Sequence, residues 1–264
     1  LSIWASRRGG PLPAVGHRMP LKAVAASWVA GNDAPAPSLF GDAPDMVYTS
    51  SGSAALAIAL LACKATSQRR KVIIPAYTCP SVLAAVERAG LQAVLCDLAP
   101  GQLHLDSARL ADLLGEDTLA VVHVHLFGLD RRPVGIRQLT RKAGAWFIED
   151  AAQALGNRAS GKYLGKDGDL AVLSFGRGKP LSALHGGAVL VNVPVLVAPV
   201  HRAMQMNVTP LPAWFGMYYR LLLAAYAVLF HPRLFALPQA LPWFRIGETI
   251  YRDSIPVHRM ARPG

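Results

Sequence analysis

Cysteine is scarce in this sequence: its 264 residues contain three, Cys63, Cys79 and Cys96, with no CxxC pair. That excludes a disulfide framework and a structural zinc site, and a reduced cytoplasmic setting is the simpler reading. Charged residues are few as well, 16% against 52% apolar ones, which excludes general disorder and leaves ample material for a large core. Acids are the scarcer sign, 16 against 27 basic residues, for a formal net charge of +11. Such a balance is compatible with nucleic acid, an anionic membrane surface or phosphorylated small molecules. The positive charge is scattered, and the short cluster Gln68-Arg69-Arg70-Lys71 reads as a solvated loop. With no zinc finger, RNP-like motif or basic helix of DNA-reading spacing, a nucleic-acid partner is not expected.

The opening stretch LSIWASRRGGPLP lacks the basic start, apolar centre and small-residue cleavage site of a signal peptide. Beginning at Leu1, it reads as an incomplete or processed start. Long apolar runs are rare too. The longest, WFGMYYRLLLAAYAVLF at 214–230, has 17 residues and one interior charge, Arg220. A bilayer span needs about 20 residues, so a buried or interfacial amphipathic helix is expected instead, with peripheral membrane contact as its functional form. Between Val195 and Gly264 stand seven arginines, no lysine, and only Glu248 and Asp253 as acids, a net of +5.

What is present is an alternation of short apolar runs with helix-like segments, the signature of βαβ units in a parallel or mixed sheet. Strands are expected at 72–75, 93–97, 119–124, 145–148, 170–175 and 188–192, and helices at 53–65, 80–89, 106–114 and 133–143. Prolines at 80 and 133 and Asp106 mark helix starts. Proline density rises after Asn192, which places a boundary near residue 195. The expected organisation is a Pro- and Gly-rich extended arm over 1–45, a large α/β domain over 46–195 and a helical, Pro-rich segment over 196–264.

Three motifs carry chemistry. Thr49-Ser50-Ser51-Gly52-Ser53 precedes an Ala-rich helix, where free N–H groups and the helix dipole suit a phosphate, although an ordinary N-cap has the same residues. Glu149-Asp150-Ala151-Ala152-Gln153 closes an apolar strand at the carboxyl end, where open α/β sheets form their ligand crevice. Strand alternation lets only one of the two carboxylates enter a site, and simple strand-end solubility charges are the other reading. Ser174-Phe175-Gly176-Arg177-Gly178-Lys179 sets a lysine among small residues, as a Schiff-base nucleophile or as a plain surface lysine.

Taken in order, SGSAALAIAL, VIIPAYTCPSVLAAVERAG, VVHVHLFG, FIEDAAQALG, GKYLGKDGDLAVLSFGRGK and GGAVLVN resemble the DegT/DnrJ/EryC1/StrS family of sugar aminotransferases over residues 46–192. The resemblance implies an α/β fold of three layers, the fold type I large domain with a mostly parallel sheet, and pyridoxal 5′-phosphate as cofactor. It implies Lys179 as the Schiff-base lysine and proton carrier, Asp150 as the partner of the pyridine nitrogen, and Gln153 near the phenolic oxygen. Gly52 and Ser53, helped by Ser174, would hold the phosphate. It further implies a nucleotide-linked keto sugar, an amino-acid donor such as glutamate, a homodimer and a cytoplasmic location. Related dehydratases carry histidine in place of the lysine, so Lys179 argues for transamination.

The chain also departs from the family pattern. Cys79 stands where an aromatic residue often stacks on the ring, with Tyr77 as a substitute. His185 precedes the Gly-Gly pair and is expected to be structural, while His123 and His125 are expected in the core or at the rim. The small C-terminal domain usual in the family does not follow, which predicts weak activity for this polypeptide. Two other readings stay open: a non-catalytic, membrane-associated scaffold, and an aldolase or desulfurase with the same cofactor or a bare lysine.

Overall fold

The computed structural model describes residues 45–129, 131–212, 214–229, 234 and 255–258. The arm expected over 1–45 lies outside them except for its last residue, as do Pro232, Pro238 and Pro242. A seven-stranded sheet runs in the order β1-β9-β8-β5-β4-β2-β3, with β1 Asp45–Thr49, β2 Lys71–Pro75, β3 Gln92–Cys96, β4 Thr118–Val124, β5 Trp146–Asp150, β8 Leu170–Ser174 and β9 Gly187–Val191. All pairings are parallel except those of β9, which runs antiparallel to β8 and to β1. A two-residue hairpin, β6 Arg158–Ala159 with β7 Lys162–Tyr163, stands apart from the sheet.

Alternation along the strands builds the three layers. Val72, Ile74, Val122, Val124 and Ile148 project into one core, while their neighbours Ile73, Val121 and Phe147 project into another. The first core is roofed by α1 Gly52–Lys64, α2 Pro80–Arg88 and α5 Val197–Asn207. The second is closed by α3 Ser107–Leu113 and α4 Val134–Lys142, which contribute Leu110 and Ile136. Helix α1 is nearly all Ala and Leu because it lies flat between the sheet and two helices, with Ala54 to Leu60 all buried. Small side chains there let the helix axis approach the sheet closely.

The caps follow the sequence. Ser51 caps α1 by accepting from the Ala54 N–H at 3.0 Å, and Asp106 caps α3 by accepting from Ala108 and Arg109. Pro80 opens α2 at a position where its missing N–H costs nothing. Two elements went unexpected. The edge strand β1 carries no strong apolar pattern of its own and is ordered by pairing with β9, and the β6–β7 hairpin turns on Ser160 and Gly161, both at positive φ. Strand β5 also runs two residues beyond its expected end, carrying both carboxylates inside the sheet.

Helix α6, Phe215–Leu229, covers most of the apolar run at 214–230, and it packs through Tyr219, Leu223 and Ala227 on Leu184 and Leu211. Among the described residues no helix is long and apolar enough to cross a membrane.

Candidate active site

The carboxyl ends of β4, β5 and β8 meet the first turns of α1 and α2 around a cavity of about 210 Å³. Gly52, Ser53, Cys79, Asp150, Gln153, Ser174 and Lys179 all line it, so residues spread over 128 positions share one wall system. The start of α1 presses against the sheet here. A Cβ on Gly187 would sit 2.5 Å from the Ser51 carbonyl, and one on Gly52 would sit 2.8 Å from Ser174 Cβ. Glycine at both positions is what lets the helix start reach the ends of β8 and β9.

Tyr77, offered above as a substitute for the aromatic residue, does not line this cavity. It is 61% exposed and faces a separate crevice with Asp97, Leu98 and Arg109, because the chain turns away from the sheet after Pro75. Cys79 occupies the wall instead, as the N-cap of α2, and receives a hydrogen bond from Ser81 Oγ at 3.1 Å. It is exposed, whereas Cys63 and Cys96 are buried, and burial pushes the Cys96 thiol up to about 11.

The two carboxylates that close β5 separate as alternation requires. Asp150 is buried at the cavity, and among the described residues its side chain accepts one hydrogen bond, from the Ala152 N–H at 3.0 Å. Burial raises its pKa above the ordinary carboxylate value, against the pull of the Ala152 N–H and of Lys179. Glu149 points the other way and is no solubility charge. It is fully buried, pairs with His125 Nε2 at 2.7 Å and accepts from the backbone N–H groups of Gly165, Asp167 and Gly168. Burial works against its ionised form, but His125 and those N–H groups prevail and hold its pKa below the usual range. His123 and His125 are both core residues, with ring centroids 5.0 Å apart.

Gln153 is oriented by a turn. Its Oε1 accepts from the Phe127 N–H at 2.7 Å, where Phe127 holds a left-handed φ of 56°. Because a backbone N–H must meet the amide oxygen, the amide nitrogen is the group left to donate elsewhere. Ser174 is buried and Lys179 half-buried, the latter in the loop that joins β8 to β9. Thr78 is an addition to the expected set. Its Oγ1 is buried on the cavity wall with no hydrogen-bond partner among the described residues, a signal invisible in a lone threonine before a cysteine.

A second cavity of about 510 Å³ adjoins the first and shares Ser51, Ser53, Cys79 and Ser81 with it. His185 lines this chamber rather than the smaller one, with its ring edge-on to Tyr219 at 4.2 Å and Nδ1 3.4 Å from the Ser50 carbonyl. Burial lowers its pKa, which favours the neutral ring, against the pull of the Ser50 carbonyl. Among the described residues no cluster of side chains could hold a metal ion.

Comparison with known proteins agrees with this architecture. A GDP-perosamine synthase of Caulobacter vibrioides is 33% identical over 166 residues, 62% of this chain and 44% of that protein. A protein of Geobacillus stearothermophilus named pleiotropic regulatory protein is 33% identical over 141 residues, 53% of this chain and 38% of its own length. The chain thus spans less than half of these relatives. The crystal structure of DesI in the presence of its TDP-sugar product superposes with a TM-score of 0.64 at 27% identity, covering 75% of this chain and 53% of that one. The family model of the DegT/DnrJ/EryC1/StrS aminotransferases matches residues 39–209, a range that includes every residue lining the smaller cavity, and the chain belongs to that family.

Proposed function

We propose that this chain carries the cofactor-binding part of a pyridoxal 5′-phosphate-dependent aminotransferase, which moves an amino group from an amino-acid donor, glutamate, to a keto group on a nucleotide-linked sugar. The observation that carries the reading is Asp150: a buried carboxylate with one hydrogen bond, on the same cavity wall as a lysine and beside a helix start. A carboxylate so placed is poised for a cationic N–H, which a protonated pyridine ring provides. The orphaned Thr78 hydroxyl also fits a polar ligand, and the start of α1 fits its phosphate. When bound, pyridoxal phosphate supplies a carbonyl that condenses with amines and a ring that accepts electron density.

In this arrangement Lys179 Nζ would hold the cofactor, and as a free amine it would carry the proton that has to move. Asp150 would pair with the ring nitrogen and favour its protonated form. The Gln153 amide nitrogen, left free to donate because the Phe127 N–H meets its oxygen, would donate to the phenolic oxygen. Gly52, Ser53 and Ser174 would hold the phosphate, and Cys79 borders the cavity where the family often has an aromatic ring. The 510 Å³ chamber is the place for the sugar substrate. A second copy of the chain completes the assembly. The large α/β unit over 46–195 is the functional domain of this reading, with 196–264 appended to it. Support for the substrate class comes from a relative named GDP-perosamine synthase and from DesI, solved in the presence of a TDP-sugar product. A relative named pleiotropic regulatory protein keeps one alternative, a cofactor-binding scaffold without turnover.

The test is an absorbance spectrum of the protein mixed with pyridoxal phosphate, before and after borohydride, beside Lys179→Ala. A reducible band at roughly 410–430 nm, lost in the variant, is the expected result. Identical spectra from the two proteins would overturn the assignment of Lys179. If the band forms but amino donors leave it unchanged, the scaffold reading replaces turnover.

A further inference from the structure

His185 belongs to the loop between β8 and β9 and lines the 510 Å³ chamber. Its ring is fixed by two sets of neighbours. The Ser50 carbonyl accepts from the Gly186 N–H at 2.8 Å and lies 3.4 Å from His185 Nδ1. Tyr219 and Phe215 meet the imidazole edge-on, with ring centroids 4.2 and 5.9 Å away, while the Tyr219 hydroxyl donates to the Ala183 carbonyl. A carbonyl can only accept, so in the neutral ring that burial favours, Nδ1 carries the proton and Nε2 is an acceptor. That acceptor is buried and has no hydrogen-bond partner among the described residues.

Other polar groups of the chamber are already engaged. Ser50 Oγ donates to the Pro256 carbonyl at 3.4 Å, Ser51 Oγ accepts from the Ala54 N–H, and Ser81 Oγ donates to Cys79. His258 Nδ1 lies 2.7 Å from the Thr209 carbonyl. An orphaned acceptor in a wall of satisfied groups costs folding free energy until a ligand supplies its donor. The rest of the wall describes that ligand. Among the described residues no Asp, Glu, Lys or Arg lines the chamber, whereas Ala84, Leu211, Phe215 and Ile255 do. Three of those four lie beyond the family match, which ends at residue 209. A carboxylate or a diphosphate in this chamber would be a charge without a counter-ion, which burial penalises. A neutral group with hydroxyl donors and an apolar C–H face meets both kinds of wall.

We infer that His185 is a specificity-determining residue of the chamber: its Nε2 accepts a hydrogen bond from a ring hydroxyl of the sugar, and the chamber takes the uncharged sugar ring while the diphosphate and the donor's carboxylates stay outside it. The inference rests on the proposed function for the presence of a sugar, and goes beyond it in naming the contact and the neutrality of the group received. A sugar without that hydroxyl leaves Nε2 desolvated and unpaired, so the chamber discriminates against the deoxy analogue at this position.

The test is titration calorimetry of the full chain with GDP-mannose and TDP-glucose, each beside its sugar-free nucleotide, GDP or TDP. In the parent at least one sugar nucleotide should bind about three- to tenfold tighter than its nucleotide, the gain from one added hydrogen bond. His185→Phe keeps a flat ring without the acceptor and should lose that gain, with GDP and TDP bound as in the parent. His185→Gln, whose amide can donate to the Ser50 carbonyl and still present an oxygen, should recover part of it. A measurement without substitution stands beside these in case His185→Phe fails to fold. In the parent carrying isotope-labelled histidine, one Nε2 resonance should shift on addition of the sugar nucleotide that shows the gain and not of its bare nucleotide. No binding, equal affinity for sugar nucleotide and nucleotide, an unchanged gain in His185→Phe, or no shifted histidine resonance would overturn the inference. Failure of the aminotransferase reading looks different, since pyridoxal phosphate would then give no reducible band whatever the sugar contributes.

Discussion

Adjacent carboxylates on β5 do opposite work, and each makes a separate prediction. Burial raises the pKa of Asp150, so its ionised form costs folding free energy once pH exceeds the ordinary carboxylate value. Stability contributed by the protonated form is full below that value and is lost as pH rises through the shifted one. Asp150→Asn removes the penalty. The variant should unfold in urea at no lower a midpoint than the parent at neutral pH, yet bind pyridoxal phosphate about 10- to 100-fold more weakly, from a lost charge-assisted hydrogen bond of about 1.5–3 kcal/mol. Fluorescence titration with the cofactor would show the difference. Glu149→Ala should do the reverse at the level of folding. It strands His125 and three backbone N–H groups in the core, and a loss of about 3–5 kcal/mol in equilibrium denaturation is expected.

At the scale of elements, the start of α1 depends on the missing side chain of Gly187. A methyl group there would lie 2.5 Å from the Ser51 carbonyl, and neither backbone is the flexible end of a side chain. Gly187→Ala should push the helix start off the sheet and cost about 1–3 kcal/mol, read as a lower melting temperature. The loop that Glu149 grips is held from outside as well. Asp167 hydrogen-bonds Arg132 at 2.6 and 2.7 Å and Lys162 at 2.7 Å. Burial opposes its charge, but those partners win and set its pKa at about 2. A carboxyl depressed in the folded state adds stability that is full above its ordinary pKa of about 4 and is lost as pH falls toward about 2. Urea midpoints for Asp167→Asn should therefore vary less with pH over that window than those of the parent.

For the whole molecule, binding to the folded state alone must raise its stability. At about 100 times the dissociation constant the gain is about 2.7 kcal/mol, or roughly 5–10 °C in melting temperature for a chain of this size. The parent should show that rise with pyridoxal phosphate and Lys179→Ala a much smaller one in a thermal scan. Inorganic phosphate at equal concentration should do little for either, because it engages the start of α1 without reaching Lys179 or Asp150.

Local signals sufficed for much of this protein. Short apolar runs bounded by Gly, Pro and Asp marked six of the seven sheet strands, since strand patterning and turn chemistry are read over a few residues. The order of the Ser-Gly-Ser, Glu-Asp-Ala-Ala-Gln and Ser-Phe-Gly-Arg-Gly-Lys strings pointed to one site. Other features belong to tertiary structure alone. Edge strand β1 exists through its pairing with β9, and Asp45–Thr49 has no strong pattern of its own. Tyr77 and Cys79 differ by two positions, and only the turn after Pro75 decides that the cysteine, not the tyrosine, reaches the cavity. Glu149 and Asp150 are equivalent as letters, but the groups that hold Glu149 lie 16 or more residues away, so tertiary contacts separate the pair into a structural anion and a cavity-facing one. Sequence by itself determined the elements and the residue types. Contacts between residues distant in the chain decided which side chains share a cavity and which charges are buried, because desolvation and hydrogen bonding depend on neighbours that no local window contains.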